Sequence, residues 1–388
     1  MSRVPTLSLS SRAAEPVRRG HPWVYREQIE RAPALADGDE VRLASKGAVI
    51  ARGLASSSGP LAVRVWTHGD APIDAALVAD RLERAVALRA RAFDDATNAY
   101  RVVHGEGDRM PGLVVDRYGD ACVVVIDDAA VRARVSEFLP AIADAVRALG
   151  VRTVLLRSGR GEAKRVELAS GEPVPMRATV REHGVPFVVD LEKGQKTGAF
   201  LDQRENRRRV GELARGRRVL NLFSYAGGFS LHAALGGATK VTSVDVAAQG
   251  HATAQESFKI AGVAPSAHEF VTQDCFAFLE QAAKRGRTWD LVVSDPPSFA
   301  PNEKSVPTAL AAYRALHRAC ALVLEPGGIF CAASCSSHVD AERFAQTLDD
   351  ASLETTTLRL LALHGAPWDH PMLPAFPEGR YLKFAVLG

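Results

Sequence analysis

Three predicted strands in the second half of the sequence end at side chains that could hold a nucleoside or act as a nucleophile. Asp245 and Asp295 each follow an apolar run, and Cys335 follows a third. A carboxylate accepts hydrogen bonds from hydroxyl or amino groups, and a thiolate is a nucleophile. Because the carboxyl ends of parallel strands meet at one edge of a sheet, we expect these three groups to share a site.

A strand, a glycine-containing turn and a helix precede Asp245. The apolar run 219–223 predicts the strand, residues 224–228 predict the turn, and the helix is predicted to begin near Phe229. Glycine lets the backbone approach a ligand, and the first N–H groups of a helix attract polar or anionic groups. Asp245 then falls at the spacing of a ribose-binding carboxylate. Asp274 follows the next strand, where it could contact adenine or cap the following helix.

Two ligands that contain a nucleoside fit this pattern, namely the dinucleotide of a dehydrogenase and S-adenosylmethionine. The loop YAGGFS lacks the GxGxxG spacing that holds a pyrophosphate. Asp295 is followed by two prolines, which stiffen the turn and project its carboxylate over the sheet edge. Hydride transfer requires neither feature, so the pattern favours S-adenosylmethionine. The candidate cofactor-binding residues on these strands and loops are Phe223, Ser224, Tyr225, Gly227, Asp245, Asp274 and Asp295.

The elements that must position these groups belong to a chain long enough for several domains. It has 388 residues, well above the roughly 150 residues expected of one domain. Short alternating segments predict a small β-barrel domain over 1–72, and mixed patterns predict an α+β domain over 73–185. From 186 to 388, alternating strands and helices predict an α/β domain with a doubly wound parallel sheet.

Composition and charge exclude several classes of protein. Hydrophobic residues make up 47% and charged residues 24%, which is ordinary for a globular protein and excludes disordered and membrane-spanning classes. The N-terminus lacks the apolar stretch of a secretory signal, so we expect a cytoplasmic location. The five cysteines show no zinc-ligand spacing, and we predict no metal. The net charge is +3, but residues 1–66 and 181–218 each contain ten Lys and Arg against six Asp and Glu.

Several separated motifs resemble those of a known enzyme family. The segments NLFSYAGGFS, SVD, TQD and SDPPSF look like class I S-adenosylmethionine methyltransferases, and EKGQKTGAFLDQRENRR with SCSSH is similar to the RlmI type of ribosomal RNA large-subunit methyltransferases, which make 5-methylcytosine. The segment VRRGHPWVYREQIER is similar to the start of that family's PUA RNA-binding domain, and GDRMPGLVVDRYGD resembles its central domain. The resemblance implies a Rossmann-like, seven-stranded methyltransferase sheet preceded by a PUA-like barrel. It also implies that Phe200, Gln203 and Arg204 lie near the methionine end of the cofactor.

The reaction that this resemblance implies needs a cysteine. Carbon 5 of cytosine is a poor nucleophile until a thiolate adds to carbon 6. Cys335 is the candidate thiolate, whereas Cys331 lies inside the strand and is predicted to be core. Asp295 is the second candidate catalytic residue, as the partner of the amino group or ring nitrogen of the base. The best-known RNA cytosine-5 methyltransferases have a second cysteine directly after the two prolines, where this sequence has Ser298; Ala226 stands where the family commonly has Thr.

Basic and aromatic side chains in two segments are candidates for RNA binding, since cations bind phosphates and aromatic rings stack on unpaired bases. They are Arg18, Arg19, His21, Trp23, Arg26, Arg207 and Arg208. The expected partner is 23S ribosomal RNA with its target base unstacked, a homodimer is a candidate assembly, and no membrane is expected to take part. Two other functions stay open. One is methylation of an exocyclic amine, which needs no cysteine, or of another base position in ribosomal RNA, and the other is that of a non-catalytic RNA-binding assembly factor.

Overall fold

The computed structural model describes residues 4–30, 33–159, 163–354 and 358–388. Contacts between Cα atoms divide the chain into two compact units. The first comprises Met1–Ala178, Asp190–Leu201 and Trp368–Gly379, and the second comprises Thr179–Val189, Asp202–Pro367 and Arg380–Gly388. The predicted boundaries of three domains, 1–72, 73–185 and 186–388, are a different division and stay a prediction.

The first unit begins with five short strands, which form one sheet, and one α-helix. They are β1 (Thr6–Ser8), α1 (Ser11–Arg18), β2 (Trp23–Tyr25), β3 (Glu40–Ser45), β4 (Ala48–Ala55) and β5 (Leu61–His68). The strand order is β1-β3-β4-β5-β2, and only the pair β1–β3 is parallel. The Ser10 hydroxyl caps α1 by accepting a hydrogen bond from the Ala13 N–H. This is the β-rich module that the alternating segments predicted.

The second sheet of the first unit also has five strands, with helices α2 to α4. These elements are α2 (Ala75–Ala92), β6 (Ala99–His104), β7 (Leu113–Tyr118), β8 (Ala121–Ile126), α3 (Ala129–Ala133), α4 (Val135–Arg147), β9 (Thr153–Ser158) and β10 (Arg165–Gly171). The order is β10-β9-β8-β7-β6, with β8 and β9 parallel. Helix α2 buries Val78, Leu82 and Ala85, which recur at helical spacing. The α+β character predicted for this segment is therefore present.

A two-stranded hairpin follows, formed by β11 (Arg177–Glu182) and β12 (Val185–Asp190). His183 and Gly184 make its turn, and both have positive φ angles, 49° and 78°. Two such residues in succession match the twist of a tight hairpin.

The third sheet, in the second unit, has seven strands. Its elements are α5 (Arg204–Leu213), β13 (Arg218–Leu222), α6 (Gly228–Leu235), β14 (Lys240–Asp245), α7 (Ala248–Ile260), β15 (Glu269–Thr272), α8 (Cys275–Lys284), β16 (Trp289–Ser294), α9 (Val306–Ala321), β17 (Leu324–Ser334), α10 (Ala341–Gln346), α11 (Asp349–Glu354), β18 (Leu360–His364) and β19 (Lys383–Leu387). The order is β15-β14-β13-β16-β17-β19-β18. The first five strands are parallel, and β19 is antiparallel to both of its neighbours. The predicted seven-stranded sheet is confirmed.

Apolar side chains on both faces of this sheet pack in separate cores. Val219 belongs to one core with Val210 of α5, while Leu220 and Leu222 belong to the other with Tyr313 of α9. Successive side chains of a strand point to opposite faces, so a fully apolar strand requires a layer of helices on each side. The strand order reverses between β14 and β16 around β13, which places a crevice at the carboxyl ends of these strands. Among the described helices, none combines the length and apolar character needed to cross a membrane.

Candidate active site

The loop that follows β13 has the backbone shape of a ligand-binding turn. Phe223, Tyr225 and Gly227 have positive φ angles of 55°, 44° and 72°. Two of them are not glycine, and such residues concentrate at functional sites because surrounding contacts must hold them in place. A side chain at Gly227 is excluded, since a Cβ there would lie 2.6 Å from the Cβ of Ala254. The turn therefore needs glycine at position 227 in order to pack against α7 directly before α6 begins.

The Asp245 carboxylate holds this loop from the end of the neighbouring strand. Its Oδ2 accepts a hydrogen bond from the Tyr225 N–H at 2.8 Å, and its Oδ1 accepts one from the Ala247 N–H at 2.7 Å. The side chain is half-buried. A carboxylate has about four acceptor positions, so Asp245 can accept further hydrogen bonds from ribose hydroxyls.

The ends of β14 and β15 combine acidic and apolar side chains. Asp274 is exposed and caps α8, because its Oδ1 accepts a hydrogen bond from the Ala277 N–H at 3.0 Å. Val246, directly after β14, is 68% exposed, and Phe276, in the first turn of α8, is 37% exposed. They offer apolar surface to a flat ring such as adenine. Neither residue was predicted from the sequence, although an apolar residue that directly follows a strand-ending carboxylate is a signal that could have identified Val246.

Gln203 and Asp295 come from distant segments and are in contact. The Gln203 Nε2 donates a hydrogen bond to Asp295 Oδ1 at 3.0 Å, and the Gln203 Oε1 accepts one from Asn206 Nδ2 at 2.6 Å. Gln203 is buried, and Asp295 is half-buried. Asn206 lies one helical turn along α5 and was not predicted. This chain of hydrogen bonds orients the Asp295 carboxylate at the carboxyl end of β16.

Cys335 directly follows β17 and lies between two anchored serines. The Tyr313 hydroxyl lies 2.8 Å from Ser334 Oγ and 2.9 Å from Ser336 Oγ. The hydroxyl of Ser298, in the loop that follows β16, lies 3.0 Å from Ser336 Oγ. The loop after β16 is therefore joined to the residue that directly follows Cys335.

Cys335 differs from the other four cysteines in how deeply it is buried. Cys335 is half-buried, whereas the other four are buried. Burial raises the pKa of Cys275 and of Cys331 to about 12, and it also raises the pKa values of Cys122 and Cys320. A buried thiol with a raised pKa is unreactive at neutral pH. The prediction that Cys331 is a core residue is confirmed.

Two residues expected near the methionine end of the cofactor belong to different units. Arg204, in the second unit, is buried, and its Nε donates a hydrogen bond to Glu205 Oε1 at 3.2 Å. Phe200, in the first unit, is half-buried, with the Lys196 ammonium 4.6 Å from its ring centroid. Their contacts with the cofactor stay a prediction.

Arg207, expected to face RNA phosphates, is buried within the second unit. Its guanidinium donates to both carboxylate oxygens of Glu182, at 2.5 and 2.6 Å, and His232 Nε2 lies 2.9 Å from the same carboxylate. Burial raises the pKa of Glu182, but the Arg207 charge and the His232 hydrogen bond outweigh this effect and hold that pKa well below its ordinary value. A Cβ on Gly228 would lie 2.7 Å from Arg207 Cδ, so the arginine also supports the start of α6. The prediction that Arg207 faces RNA phosphates is therefore wrong, because its guanidinium forms a buried ion pair with Glu182. Glu182 and His232 were not predicted from the sequence.

The other candidate RNA-binding arginines reach the surface. Arg18 and Arg19 are exposed at the end of α1. Arg26 is exposed as well, although its guanidinium donates to the carbonyls of Gly59 and Ser56. In the second unit, the Arg208 side chain is 41% exposed and pairs with Glu205 and Glu212 on its own helix. These side chains stay candidates for phosphate contacts.

The two aromatic candidates in the first unit are engaged by neighbouring residues. Trp23 is half-buried, its Nε1 donates to Glu106 Oε1 at 2.8 Å, and its ring centroid lies 4.6 Å from that of Phe376. His21 Nε2 lies 3.4 Å from the Glu378 carboxylate. Both rings contribute to packing, and their role in stacking on RNA bases stays a prediction.

The residues at this edge of the third sheet fit S-adenosylmethionine. Asp245 can hold the ribose, and Val246 and Phe276 offer apolar surface to the adenine. The observation that supports a nucleoside at this edge is the Asp245 carboxylate, which has acceptor positions beyond the two that backbone N–H groups use.

Comparisons with known proteins agree with this geometry. The profile of an S-adenosylmethionine-dependent methyltransferase family matches residues 126–375, and a PUA-like domain matches residues 7–68. A ribosomal RNA large subunit methyltransferase of Deinococcus radiodurans is 38% identical over 100% of this chain and 98% of its own length. A ribosomal RNA large subunit methyltransferase I of Photobacterium profundum is 34% identical over 95% of both chains.

Solved structures share the fold over nearly the whole chain. A candidate S-adenosylmethionine-dependent methyltransferase from Streptococcus mutans, 23% identical, superposes with a TM-score of 0.88 over 99% of this chain and all of its own. A candidate methyltransferase in complex with SAH, the demethylated form of the cofactor, is 25% identical, with a TM-score of 0.89 over 99% of this chain and all of its own. The chain belongs to the S-adenosylmethionine-dependent methyltransferases, in the family of the ribosomal RNA large subunit methyltransferases that it matches along its length.

Proposed function

We propose that this chain transfers a methyl group from S-adenosylmethionine to carbon 5 of a cytosine in 23S ribosomal RNA, through a covalent adduct between Cys335 and the base. The names of the relatives support ribosomal RNA as the substrate. The observation that carries the choice of carbon is the placement of Cys335, a half-buried thiol joined through Ser336 and Ser298 to the loop of Asp295. Methylation of an exocyclic amine would leave this thiol without a role.

The side chains of the site divide the chemistry between them. S-adenosylmethionine, when bound, supplies an electrophilic methyl group. The Cys335 thiolate adds to carbon 6 of the base and so makes carbon 5 nucleophilic. Asp295, oriented by Gln203, binds the amino group of the base or, in its protonated form, ring nitrogen 3. After carbon 5 has been methylated, it loses its proton to a base and the carbon–sulfur bond breaks, which restores the aromatic ring and releases the thiolate.

Binding of RNA has two requirements. The target base must leave its stack before a thiolate can approach carbon 6, so unpaired or partly assembled RNA is the expected substrate. Arg18, Arg19 and Arg26 of the first unit, and Arg208 of the second, are the exposed arginines proposed to contact phosphates. A cytoplasmic location and a homodimer stay predictions.

The base and position are tested together by mapping methyl groups in ribosomal RNA by mass spectrometry. We expect RNA from a strain that lacks the gene to miss one 5-methylcytosine in the large subunit, and the purified protein with S-adenosylmethionine to restore it. A restored methyl group on an exocyclic nitrogen would contradict the carbon assignment. Failure to restore any methyl group, with ribosome assembly impaired, would support the assembly-factor function instead.

Asp295→Asn is expected to slow methyl transfer far more than it weakens cofactor binding. Loss of one preorganised polar contact in an active site costs about 100-fold or more in rate, and Asn cannot supply a carboxylate. Single-turnover transfer of a radioactive methyl group, together with calorimetry of S-adenosylmethionine binding, measures the two effects. Asp290→Asn, on the strand β16 that Asp295 follows, is the matched control, because Asp290 pairs with Arg218 and was not assigned to the site. Equal transfer rates for the Asp295 variant and the wild type would reject the assignment.

A further inference from the structure

Lys383 is a buried lysine on the strand beside Cys335. It is the first residue of β19, is 2% exposed, and pairs in register with Ser334, the last residue of β17. Its ammonium donates hydrogen bonds to the Ser336 carbonyl at 2.6 Å and to the Tyr381 carbonyl at 2.7 Å. The ammonium is therefore anchored at the carbonyl of the residue that follows Cys335, while the Lys383 backbone pairs with the residue that precedes it.

Both of these hydrogen bonds go to neutral carbonyls. Burying an ammonium group costs free energy unless an anion compensates for it. An ammonium has three N–H donors, and the two carbonyls use two of them. This arrangement suits a site where a negative charge forms nearby, and the sulfur of Cys335, the residue that directly follows β17, can carry that charge.

The titratable groups around the ammonium determine its charge. Burial lowers the pKa of Lys383 to about 8, and the charges of Cys335, directly after β17, and Asp340, at the start of α10, oppose this lowering. On α9, burial raises the pKa of Tyr313, so its hydroxyl is neutral at pH 7. Asp340 is exposed and caps α10 by accepting from the Arg343 N–H at 2.8 Å. With a pKa of about 8, the Lys383 ammonium is mostly charged at pH 7.

We propose that Lys383 is a positioning residue whose ammonium stabilises the thiolate form of Cys335 before the base binds. The thiol proton is released to solvent, and the resulting sulfur anion pairs with the ammonium. The inference rests on the proposed function, since it assigns the source of the nucleophile that the carbon 5 reaction requires.

The test is the pH dependence of Cys335 alkylation by iodoacetamide in the full-length protein, without RNA or cofactor. Mass spectrometry of the peptide that contains Cys335 gives the rate at each pH. We expect the wild-type midpoint to lie below about 8.5, the ordinary value for cysteine. Lys383→Met should raise the midpoint by about one unit or more, which slows alkylation at pH 7 about tenfold and leaves the plateau rate at high pH unchanged.

Two further variants separate charge from packing. Lys383→Gln keeps N–H donors without the charge, so it should shift the midpoint as the Met variant does. Lys240→Met removes a lysine whose side chain is 55% exposed on β14 and should leave the midpoint at the wild-type value. If the Met variant does not fold, the wild-type midpoint and the Gln variant decide the question.

Three results would overturn the role of Lys383: a wild-type midpoint at or above about 8.5, an unshifted midpoint in the Met variant, or a wild-type midpoint in the Gln variant. None of these would affect the mapping of methyl groups in RNA. Conversely, a failure to find 5-methylcytosine would reject the proposed function without altering the alkylation rates, so the two failures are distinguishable.

Discussion

Cys335→Ala is expected to abolish methyl transfer and to leave S-adenosylmethionine binding intact. The thiolate is the group that makes carbon 5 nucleophilic, and removal of a covalent nucleophile lowers the rate by at least about 1,000-fold. Cofactor binding should persist because the groups assigned to the cofactor, Asp245 and the loop after β13, lie at the ends of β14 and β13, whereas Cys335 follows β17. Single-turnover transfer and binding calorimetry measure the two quantities.

Cys331→Ala is the matched control for this substitution. Cys331 lies four residues earlier on β17 and is fully buried, so its loss affects packing and leaves the active thiol in place. A second measurement uses RNA in which the target cytosine carries fluorine at carbon 5. Because fluorine cannot leave as a proton does, the wild type should form a lasting protein–RNA adduct and Cys335→Ala should form none. Normal turnover by Cys335→Ala would reject carbon methylation and favour an exocyclic amine.

Glu182→Gln is expected to destabilise the second unit strongly. The substitution removes the carboxylate charge from a buried pair and leaves the Arg207 charge without it, and breaking such a pair costs about 3–5 kcal/mol. A loss of about 3 kcal/mol corresponds to a fall in melting temperature of roughly 6–12 °C for a unit of this size. Thermal unfolding followed by circular dichroism measures the shift.

An exposed ion pair on α5, the helix that carries Arg207, provides the control for Glu182→Gln. Glu212 pairs with Arg208, and the Glu212 side chain is 59% exposed. Solvent screens such a pair, so Glu212→Gln should change stability by less than about 1 kcal/mol. Equal melting temperatures for wild type and Glu182→Gln would show that the buried pair does not stabilise the unit.

The effect of Glu182→Gln should also depend on pH. The folded-state pKa of Glu182 lies below its ordinary value of 4.5, because the Arg207 charge and the His232 hydrogen bond outweigh burial. A carboxyl group of this kind stabilises the fold fully above its unfolded pKa, and the stabilisation is lost as pH falls through the folded pKa. The difference in melting temperature between wild type and variant should therefore be full at pH 7 and should narrow as the pH falls below about 4.5. A difference that widens in acid would contradict this explanation.

The sequence by itself predicted the elements of the second unit that carry the candidate site. The turn around Gly227, the carboxylates at 245 and 295 and the thiol at 335 all follow apolar strands within a few residues. Such patterns are local: a fully apolar strand followed by a polar turn places its last side chains at the sheet edge, whatever the rest of the chain does. Asp274 shows the limit of this reasoning. The sequence allowed it either to contact adenine or to cap a helix, and the hydrogen bond present in the structure is the helix cap.

Only the tertiary structure decided which charged side chains face inward. Arg207 and Arg208 are adjacent in one run of arginines, yet Arg207 is buried against Glu182, which lies 25 residues earlier on a hairpin strand, while Arg208 reaches the surface. Lys383 is likewise placed beside Cys335 by an antiparallel strand 48 residues later in the chain. A run of charged residues does not indicate by itself which of its side chains will be buried, because burial depends on where their ion-pair partners lie. Those partners come from sequence-distant strands whose pairing depends on the packing of the whole unit, which is why local patterns could not predict them.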